Sequence, residues 1–210
     1  DPCIDSIYAV RQLTLMFGKI SLPCSSEREK SAMRGYIECE KELRRSDALL
    51  PPDLREDFRR MSLRLFGDVF AEVDRKVYND EIVPKHGPGS TADRLRGNAK
   101  YDQSEWTSRL ESVLPYGDFA IPNWRYNYRL DRVEFLEPRD ERPVRVISVP
   151  KTLKTPRIIA IEPTCMQYTQ QAIAEALVSC LEHDPVLGDM IGFTDQVPNQ
   201  QMAEFGSRTG

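Results

Sequence analysis

The stretch VRVISVPKTLKTPRIIAIE (Val144–Glu162) decides the fold, because it holds the two clearest strand signals in the 210-residue chain. Both halves are rich in β-branched residues, and the first alternates in a way that is typical of a strand. Pro150 and Pro156 enclose the loop between the halves and restrict its backbone. The pattern predicts a β-hairpin or ribbon over about residues 144–162, with a stiff loop at its tip.

Positive charge is concentrated in this ribbon. Residues 142–161 contain no acid and five basic residues, which are Arg142, Arg145, Lys151, Lys154 and Arg157. The chain as a whole has a net charge of -4, so any affinity for phosphate must come from a local patch. Lysine and arginine suit phosphate oxygens, and arginine also stacks on bases. The loop is therefore a candidate triphosphate site, and an ordinary solvated hairpin tip is the alternative.

The rest of the chain is predicted to be mainly helical, because apolar residues recur every three or four positions. Helices are predicted at Ile4–Ile20, from Ser26, from Pro52 to Val77, at Ser104–Leu114 and at Thr164–His183. The predicted fold class is therefore α+β, mainly helical, with the basic ribbon as its clearest β-structure. No apolar run reaches the ~20 residues of a membrane span, so no membrane partner is expected.

Two of these helices carry predictions at the level of single residues. Ser26 and Glu29 fit an S-x-x-E capping box at a helix start. The buried face of that helix is predicted to consist of Met33, Tyr36, Ile37 and Leu43. The buried stripe of the helix Thr164–His183 is predicted to consist of Met166, Ile173, Leu177 and Leu181.

A second candidate site is the glycine-rich stretch Lys85–Tyr101. Its candidate residues, for a template channel or for a structural loop, are His86, Gly87, Gly89 and Ser90. Glycines let a backbone approach phosphate closely. The stretch lacks the G-x-x-x-x-G-K-[ST] pattern and follows no predicted strand, so it is not a P-loop.

Metal and disulfide patterns are weak in this sequence. Five cysteines without a C-x-x-C pair indicate a reducing compartment and no zinc site. Asp184 and Asp189 in DPVLGD have the D-x-x-x-x-D spacing of polymerase metal sites, but Pro185 and Gly188 between them indicate a turn. No catalytic residue and no metal ligand is assigned within this chain.

Four segments in order resemble one protein family. They are KHGPGSTADRLRGNAKY (85–101), SEWTSRLE (104–111), VISVPKTLKTPRIIAIEPTCMQYTQQAI (146–173) and GFTDQVPNQQMAEFGS (192–207). Over essentially its whole length the chain resembles the replicases of levivirus-like single-stranded RNA bacteriophages, with KTPRIIAIEP and TDQ..NQ..A..GS as the most specific parts. These RNA-directed RNA polymerases have fingers, palm and thumb, and they copy an RNA template with two magnesium ions.

The resemblance implies roles for the basic ribbon. Arg157 would lie against the base or triphosphate of the incoming nucleotide, with Lys151 and Lys154 near the phosphates or the template. Arg145 belongs to the same nucleotide- and RNA-binding set, and Glu162 would orient the basic residues from the strand end. A supporting role at most is implied for Asp195, Gln196, Asn199, Gln200 and Ser207.

The resemblance also implies a division into residues 1–143, a helical N-terminal and fingers region, and residues 144–210. The second part would hold the ribbon, the helix after it and the approach to the palm. The palm's aspartates would follow Gly210, so Mg²⁺ ligands are expected outside this chain, which alone should not polymerise RNA. Expected partners are the RNA template, nucleoside triphosphates and host translation factors, in the cytoplasm of an infected bacterium.

Two other functions stay open. A non-catalytic RNA-binding or replication-complex assembly protein would use the same ribbon. A self-contained nucleotide-binding enzyme is disfavoured, because the sequence has no phosphate-loop or metal-ligand pattern. The coding sequence after Gly210 distinguishes them: a strand with paired aspartates indicates the polymerase, and a stop codon indicates the binding protein.

Overall fold

The computed structural model describes residues 3–19, 24–151 and 155–209. Its chain is mainly helical with two small two-stranded sheets, which confirms the predicted mainly helical α+β class. It forms two compact units: the first comprises residues 1–51 and 144–161, and the second comprises residues 52–143 and 162–210. The boundary predicted between residues 143 and 144 separates two functional regions of a polymerase rather than two compact units, and it stays a prediction.

The first unit begins with helices α1 (Ile4–Lys19) and α2 (Ser26–Leu49). Ser25 caps α2, because its backbone is extended and its hydroxyl oxygen accepts a hydrogen bond from the Arg28 N–H at 3.4 Å. The capping box predicted from Ser26 and Glu29 is therefore wrong by one residue. Ser26 is already the first helical residue and cannot be the cap.

The predicted buried face of α2 is also wrong. Met33 is half-buried, and Tyr36, Ile37 and Leu43 are exposed. The strand β4 (Arg157–Ile161) is the element that packs against α2 in this unit. A strand of five residues spans about 16 Å and a helix of 24 residues spans about 36 Å, so the strand covers only part of the helix.

The predicted ribbon is confirmed. Strand β3 (Arg145–Val149) pairs with β4 in antiparallel register, with Arg145 opposite Ile161 and Val149 opposite Arg157. The Ser148 hydroxyl donates a hydrogen bond to Glu29 of α2 at 3.4 Å. Directly opposite residues share a face of the sheet, so Arg145, Ile147, Val149 and Arg157 lie on one face, and Ser148 lies on the other.

The second unit contains the remaining α-helices and β-strands. These elements are α3 (Pro52–Tyr78), β1 (Glu105–Thr107), α4 (Ser108–Glu111), α5 (Tyr116–Phe119), β2 (Glu134–Leu136), α6 (Thr164–His183) and α7 (Val197–Thr209). Helices α3 and α6 pack together, with Val69 and Val73 of α3 buried. No helix within the described ranges is long and apolar enough to cross a membrane.

The helix predicted at Thr164–His183 is confirmed, but its predicted buried stripe is largely wrong. Ile173 is exposed, Met166 and Leu177 are half-buried, and Leu181 alone of the four is buried. The buried face instead contains Cys165, Tyr168, Thr169, Ala172 and Ala176. Alanine at consecutive turns lets neighbouring elements approach the helix closely, so the small residues rather than the large aliphatic ones lie inside.

The single helix predicted over Ser104–Leu114 is wrong. Residues 105–107 form β1, which pairs in parallel with β2 and places Trp106 opposite Phe135. The helix begins only at Ser108, and the Thr107 hydroxyl rather than Ser104 caps it by accepting from the Leu110 N–H. Trp106 is fully buried, and its indole N–H donates to the Leu114 carbonyl at 3.1 Å.

Candidate functional site

The ribbon tip carries the exposed cations that the sequence singled out. Arg157 is the first residue of β4, lies opposite Val149 and is exposed. Lys151, two residues after Val149, is also exposed. Both side chains therefore belong to the loop end of the ribbon. Pro156, between the loop and β4, is buried and anchors the start of the strand. Lys154, the third predicted cation of the tip, lies outside the described residues.

Arg145 lies at the other end of the same face. It is four positions before Val149, so it lies about 13 Å from the tip along the strand direction. Its side chain is half-buried, whereas Arg157 is exposed. The ribbon thus presents one exposed arginine at the tip and one partly covered arginine at its base.

The tip cations have no carboxylate partner among the described residues, unlike several other surface arginines. Arg157 and Lys151 form no ion pair with any residue of the described ranges, whereas Arg59 binds Glu56 and Arg75 binds both Glu72 and Glu81. Arg142 is also neutralised, since its guanidinium forms a two-bond ion pair with Glu105, one bond being 2.9 Å long. Arg142 belongs to the second unit and adds no free charge to the ribbon.

Glu162 follows β4 directly and belongs to the second unit. Its carbonyl oxygen accepts a hydrogen bond from the Ala92 N–H at 2.8 Å. Glu162 is half-buried, and Pro163 after it begins α6 as the N-cap. The Glu162 backbone therefore joins the residue before the α6 cap to the glycine-rich loop. The predicted role of its carboxylate in orienting the basic residues stays a prediction.

The glycine-rich stretch is an ordered loop built around a lysine. Lys100 is 3% exposed, and its ammonium donates hydrogen bonds to the carbonyl oxygens of Gly87, at 2.7 Å, and Gly89. It also donates to Gln167 of α6 at 3.2 Å. A phosphate nest presents N–H groups to an anion. Here two carbonyl oxygens converge on a cation, which is the opposite polarity.

His86 lies inside this loop between two aromatic rings. Its ring stacks on Tyr168 with centroids 4.5 Å apart and meets Tyr101 edge-on at 4.6 Å. Both ring nitrogens are buried, and neither has a hydrogen-bond partner among the described residues. Burial, together with the nearby positive charge of Lys100, lowers the pKa of His86 to about 4. A neutral imidazole held in this way fits a structural role. A contact of His86, Gly87, Gly89 or Ser90 with a template stays a prediction.

Asp93 links the same loop to the start of α6. Its carboxylate accepts hydrogen bonds from the Thr164 hydroxyl at 2.6 Å and the Thr164 N–H at 3.3 Å. Partial burial alone would raise the pKa of Asp93, but hydrogen bonds from Thr164 and Thr91 outweigh it and lower the pKa. A carboxylate at this position also complements the helix dipole.

A polar cavity of about 210 Å³ adjoins Asp93, and no sequence pattern predicts it. Its walls include Asp93, Gln103, Glu105, Arg142 and Cys165. The Gln103 side-chain oxygen is buried and has no hydrogen-bond partner in the described part of the chain, while the ion pair of Glu105 and Arg142 crosses one wall. These residues are separated by up to 72 positions in the sequence, so no local pattern could bring them together.

Polar residues near the end of the chain shape the backbone. The Asp184 carboxylate accepts from the N–H groups of Val186 and Leu187 at 2.9 and 2.8 Å, which confirms that DPVLGD is a turn. The Asp195 carboxylate accepts from Val197 N–H at 2.9 Å at the start of α7. Asn199 and Gln200 both bond to Gln196. Among the described residues no cluster of three His, Cys, Asp or Glu side chains is arranged to bind a metal ion.

Comparison with known proteins adds no relative. A scan against models of protein families finds no match, and a search of the curated proteins finds no similar sequence.

Proposed function

We propose that this chain is the N-terminal and fingers region of an RNA-directed RNA polymerase that replicates viral RNA, similar to the replicases of single-stranded RNA bacteriophages. The order of the four resembling segments supports this proposal, and so does the presence of an exposed basic ribbon within a mainly helical fold. The RNA template, nucleoside triphosphates, host translation factors and the cytoplasm of an infected bacterium are parts of the same proposal.

The observation that carries the proposal is the uncompensated charge at the ribbon tip. Arg157 and Lys151 are exposed at one end of a paired ribbon, and neither has a carboxylate partner among the described residues. Ordered cations without counter-charges favour binding of an anion with several negative oxygens. In this role Arg157 and Lys151 would neutralise the triphosphate and stabilise the charge that develops on the leaving pyrophosphate.

The magnesium chemistry expected of such an enzyme has no ligand set in the described residues. The proposal therefore gives the metal ligands to a palm outside these residues. It assigns to this chain the shaping of nucleotide and template channels. Positioning and charge stabilisation supply most of the catalysis in phosphoryl-type transfer, so a fingers region contributes to the rate without touching the metals.

The test is nucleotide incorporation by the complete polypeptide with Arg157→Ala. We expect single-turnover incorporation to fall by about ten- to a hundredfold, because the hydrogen bonds of a charged group are worth about 1.5–3 kcal/mol. Arg59→Ala is the matched control, since Arg59 is equally a surface arginine but already binds Glu56. Equal incorporation by wild type and Arg157→Ala would contradict the proposed role of the tip.

The coding sequence beyond the codon for Gly210 tests the class of protein. A frame that continues into an apolar strand with D-x-x-x-x-D and later Gly-Asp-Asp supports the polymerase. A stop codon at that position supports a non-catalytic RNA-binding or assembly protein instead.

A further inference from the structure

A second surface, outside the ribbon, displays aromatic rings to solvent. It is formed by the segment WRYNYRLDR (Trp124–Arg132), which begins with a 3₁₀ helix at Trp124–Arg129. Trp124 is 76% exposed, and Tyr126 and Tyr128 are also exposed. Exposing large aromatic side chains to water is unfavourable, so three exposed rings at alternate positions indicate a binding surface. We name this segment the aromatic–arginine surface.

Each exposed ring has an arginine over it. The guanidinium of Arg125 lies 5.6 Å from the ring centre of Trp124, and that of Arg132 lies 5.2 Å from the ring centre of Tyr128. Arg129 lies 4.9 Å from the ring centre of Tyr126. Cation–π contacts at such distances hold the cations beside the rings.

The three arginines play two different roles. Arg129 is largely buried, donates to the Tyr101 carbonyl and approaches Asp102 at 3.5 Å, so it anchors the segment. Arg125 and Arg132 form no ion pair with any residue that the structure describes. Asp131 is the only acid in residues 122–132. The outer part of the surface therefore keeps net positive charge beside exposed rings.

We propose that the aromatic–arginine surface binds single-stranded nucleic acid, with unpaired bases stacked on Trp124 and Tyr128 and phosphates near Arg125 and Arg132. Exposed aromatic rings alternating with arginines suit this ligand, because every base has a flat face and every linkage a negative charge. A duplex does not expose the faces of its bases, so it does not fit.

A protein partner is the other class of ligand that aromatic residues and arginines attract. The composition of the surface disfavours it, since Leu130 is the only aliphatic residue with a large side chain in residues 122–132. A protein-binding patch is typically built around a desolvated apolar centre. Here each ring has a cation beside it.

This inference uses none of the ribbon's residues and does not depend on the chain being part of a polymerase. The two proposals can also fail separately. The ribbon is tested by nucleotide incorporation, whereas the aromatic–arginine surface is tested by equilibrium binding of an oligonucleotide to the 210-residue chain.

Tryptophan fluorescence gives a direct test, because the chain has two tryptophans and Trp106 is 0% exposed. Titration with a twelve-residue oligouridylate or oligothymidylate should quench the emission of Trp124 and leave that of Trp106. The variant Trp124→Phe should lose the quenching but keep affinity, measured by the anisotropy of a labelled oligonucleotide. Trp124→Ala and Tyr128→Ala should each bind about tenfold more weakly, as expected for loss of one stacked base.

Tyr78→Ala is the matched control, since Tyr78 is 88% exposed in the same unit but has no arginine partner in the described structure. Arg132→Ala should flatten the dependence of affinity on salt, because one phosphate contact is lost. Far-ultraviolet circular dichroism and the emission of Trp106 show whether each variant is folded. The proposal is overturned if wild type binds no oligonucleotide, which would favour a protein partner, or if Trp124→Ala weakens binding no more than Tyr78→Ala.

Discussion

The Lys100 ammonium donates a hydrogen bond to the carbonyl oxygen of Gly87 at 2.7 Å, and the Lys100 side chain is buried, with 3% of the residue exposed. The Gly89 carbonyl and the Gln167 side chain complete its set of acceptors. A buried cation with three oxygen acceptors replaces the water that these polar groups would otherwise need. Lys100 therefore links two positions of the glycine-rich loop to each other and to α6.

Replacing Lys100 with methionine should destabilise the second unit. The substitution keeps the length and apolar stem of the side chain but leaves the Gly87 and Gly89 carbonyls without their donor. Loss of a partner by a buried polar group costs about 1–3 kcal/mol, so we expect a fall of that size in the free energy of unfolding. Urea denaturation followed by Trp106 fluorescence in a Trp124→Phe background measures it.

Lys85→Met is the control for that experiment. Lys85 forms an exposed ion pair with Glu175, and such pairs contribute less than about 1 kcal/mol. An equal decrease in the free energy of unfolding of the two variants would show that the buried contacts of Lys100 contribute no more than an exposed ion pair.

His86 should make the protein less stable in mild acid. Its pKa is about 4 in the folded chain, whereas an unfolded histidine has a pKa near 6.5. Both states are neutral above pH 6.5, so the group has no effect there. As the pH falls from 6.5 towards 4, the unfolded state binds more protons and the free energy of unfolding decreases.

His86→Phe should remove this part of the pH dependence. Phenylalanine retains a ring between Tyr101 and Tyr168 and eliminates two buried nitrogens without partners. We expect the variant to be at least as stable as wild type at pH 7 and to lose less stability between pH 7 and pH 5. Parallel pH curves for the two proteins would contradict the burial of a neutral imidazole.

Thr164→Val should weaken the connection between the loop and α6. The change removes the hydroxyl that donates to Asp93 at 2.6 Å and keeps the β-branched shape. We expect a loss of about 1–3 kcal/mol at pH 7, since the acceptor is a carboxylate. The hydrogen bonds lower the pKa of Asp93 in the folded state. Their contribution is therefore present above the unfolded pKa of about 3.9 and is lost as the pH falls through the folded value.

Acid denaturation of the Thr164→Val variant measures this contribution, and its midpoint should move to higher pH. Asp189→Asn is the control, because Asp189 is an exposed carboxylate without a hydrogen bond to any residue in the described ranges. An unchanged acid midpoint in Thr164→Val would show that the Asp93 contact does not contribute.

Two glycines should respond in opposite directions to alanine. A Cβ at Gly188 would lie 2.6 Å from the Glu182 carbonyl oxygen and 2.8 Å from that of Asp184, so Gly188→Ala should cost about 1–3 kcal/mol. A Cβ at Gly67, within α3, meets no atom within 4 Å, and Gly67→Ala should stabilise the helix by about 0.5–1 kcal/mol. Thermal unfolding of the two variants gives the signs, and a stabilising Gly188→Ala would contradict the tight turn.

The parts of the fold that depend on neighbouring residues could be predicted from the sequence. The alternation around Ile147 and Ile159 predicts the ribbon, and the spacing in residues 164–183 predicts α6. These signals are local, so one sequence is enough to detect them. The exposed cations of the ribbon tip follow directly from that hairpin.

The parts of the fold that depend on residues far apart in the sequence could not be predicted from the sequence. Trp106 belongs to a strand only because Phe135, 29 residues later, pairs with it. Ala172 and Ala176 are buried only because other elements approach α6 closely. The acceptors of Lys100 likewise come from positions 11, 13 and 67 residues away, so its role has no local signature.

The first unit is interrupted along the chain, and this has a consequence for its synthesis on the ribosome. Residues 1–51 are made first, but β4, which packs on α2, is complete only after residues 52–161, 110 residues later. At about 5–20 residues per second, the nascent helices wait on the order of 5–20 s for their ribbon. Over that interval β4 is not yet present to cover its part of α2, so chaperones that hold nascent chains should engage this protein most strongly while the chain is between these two lengths.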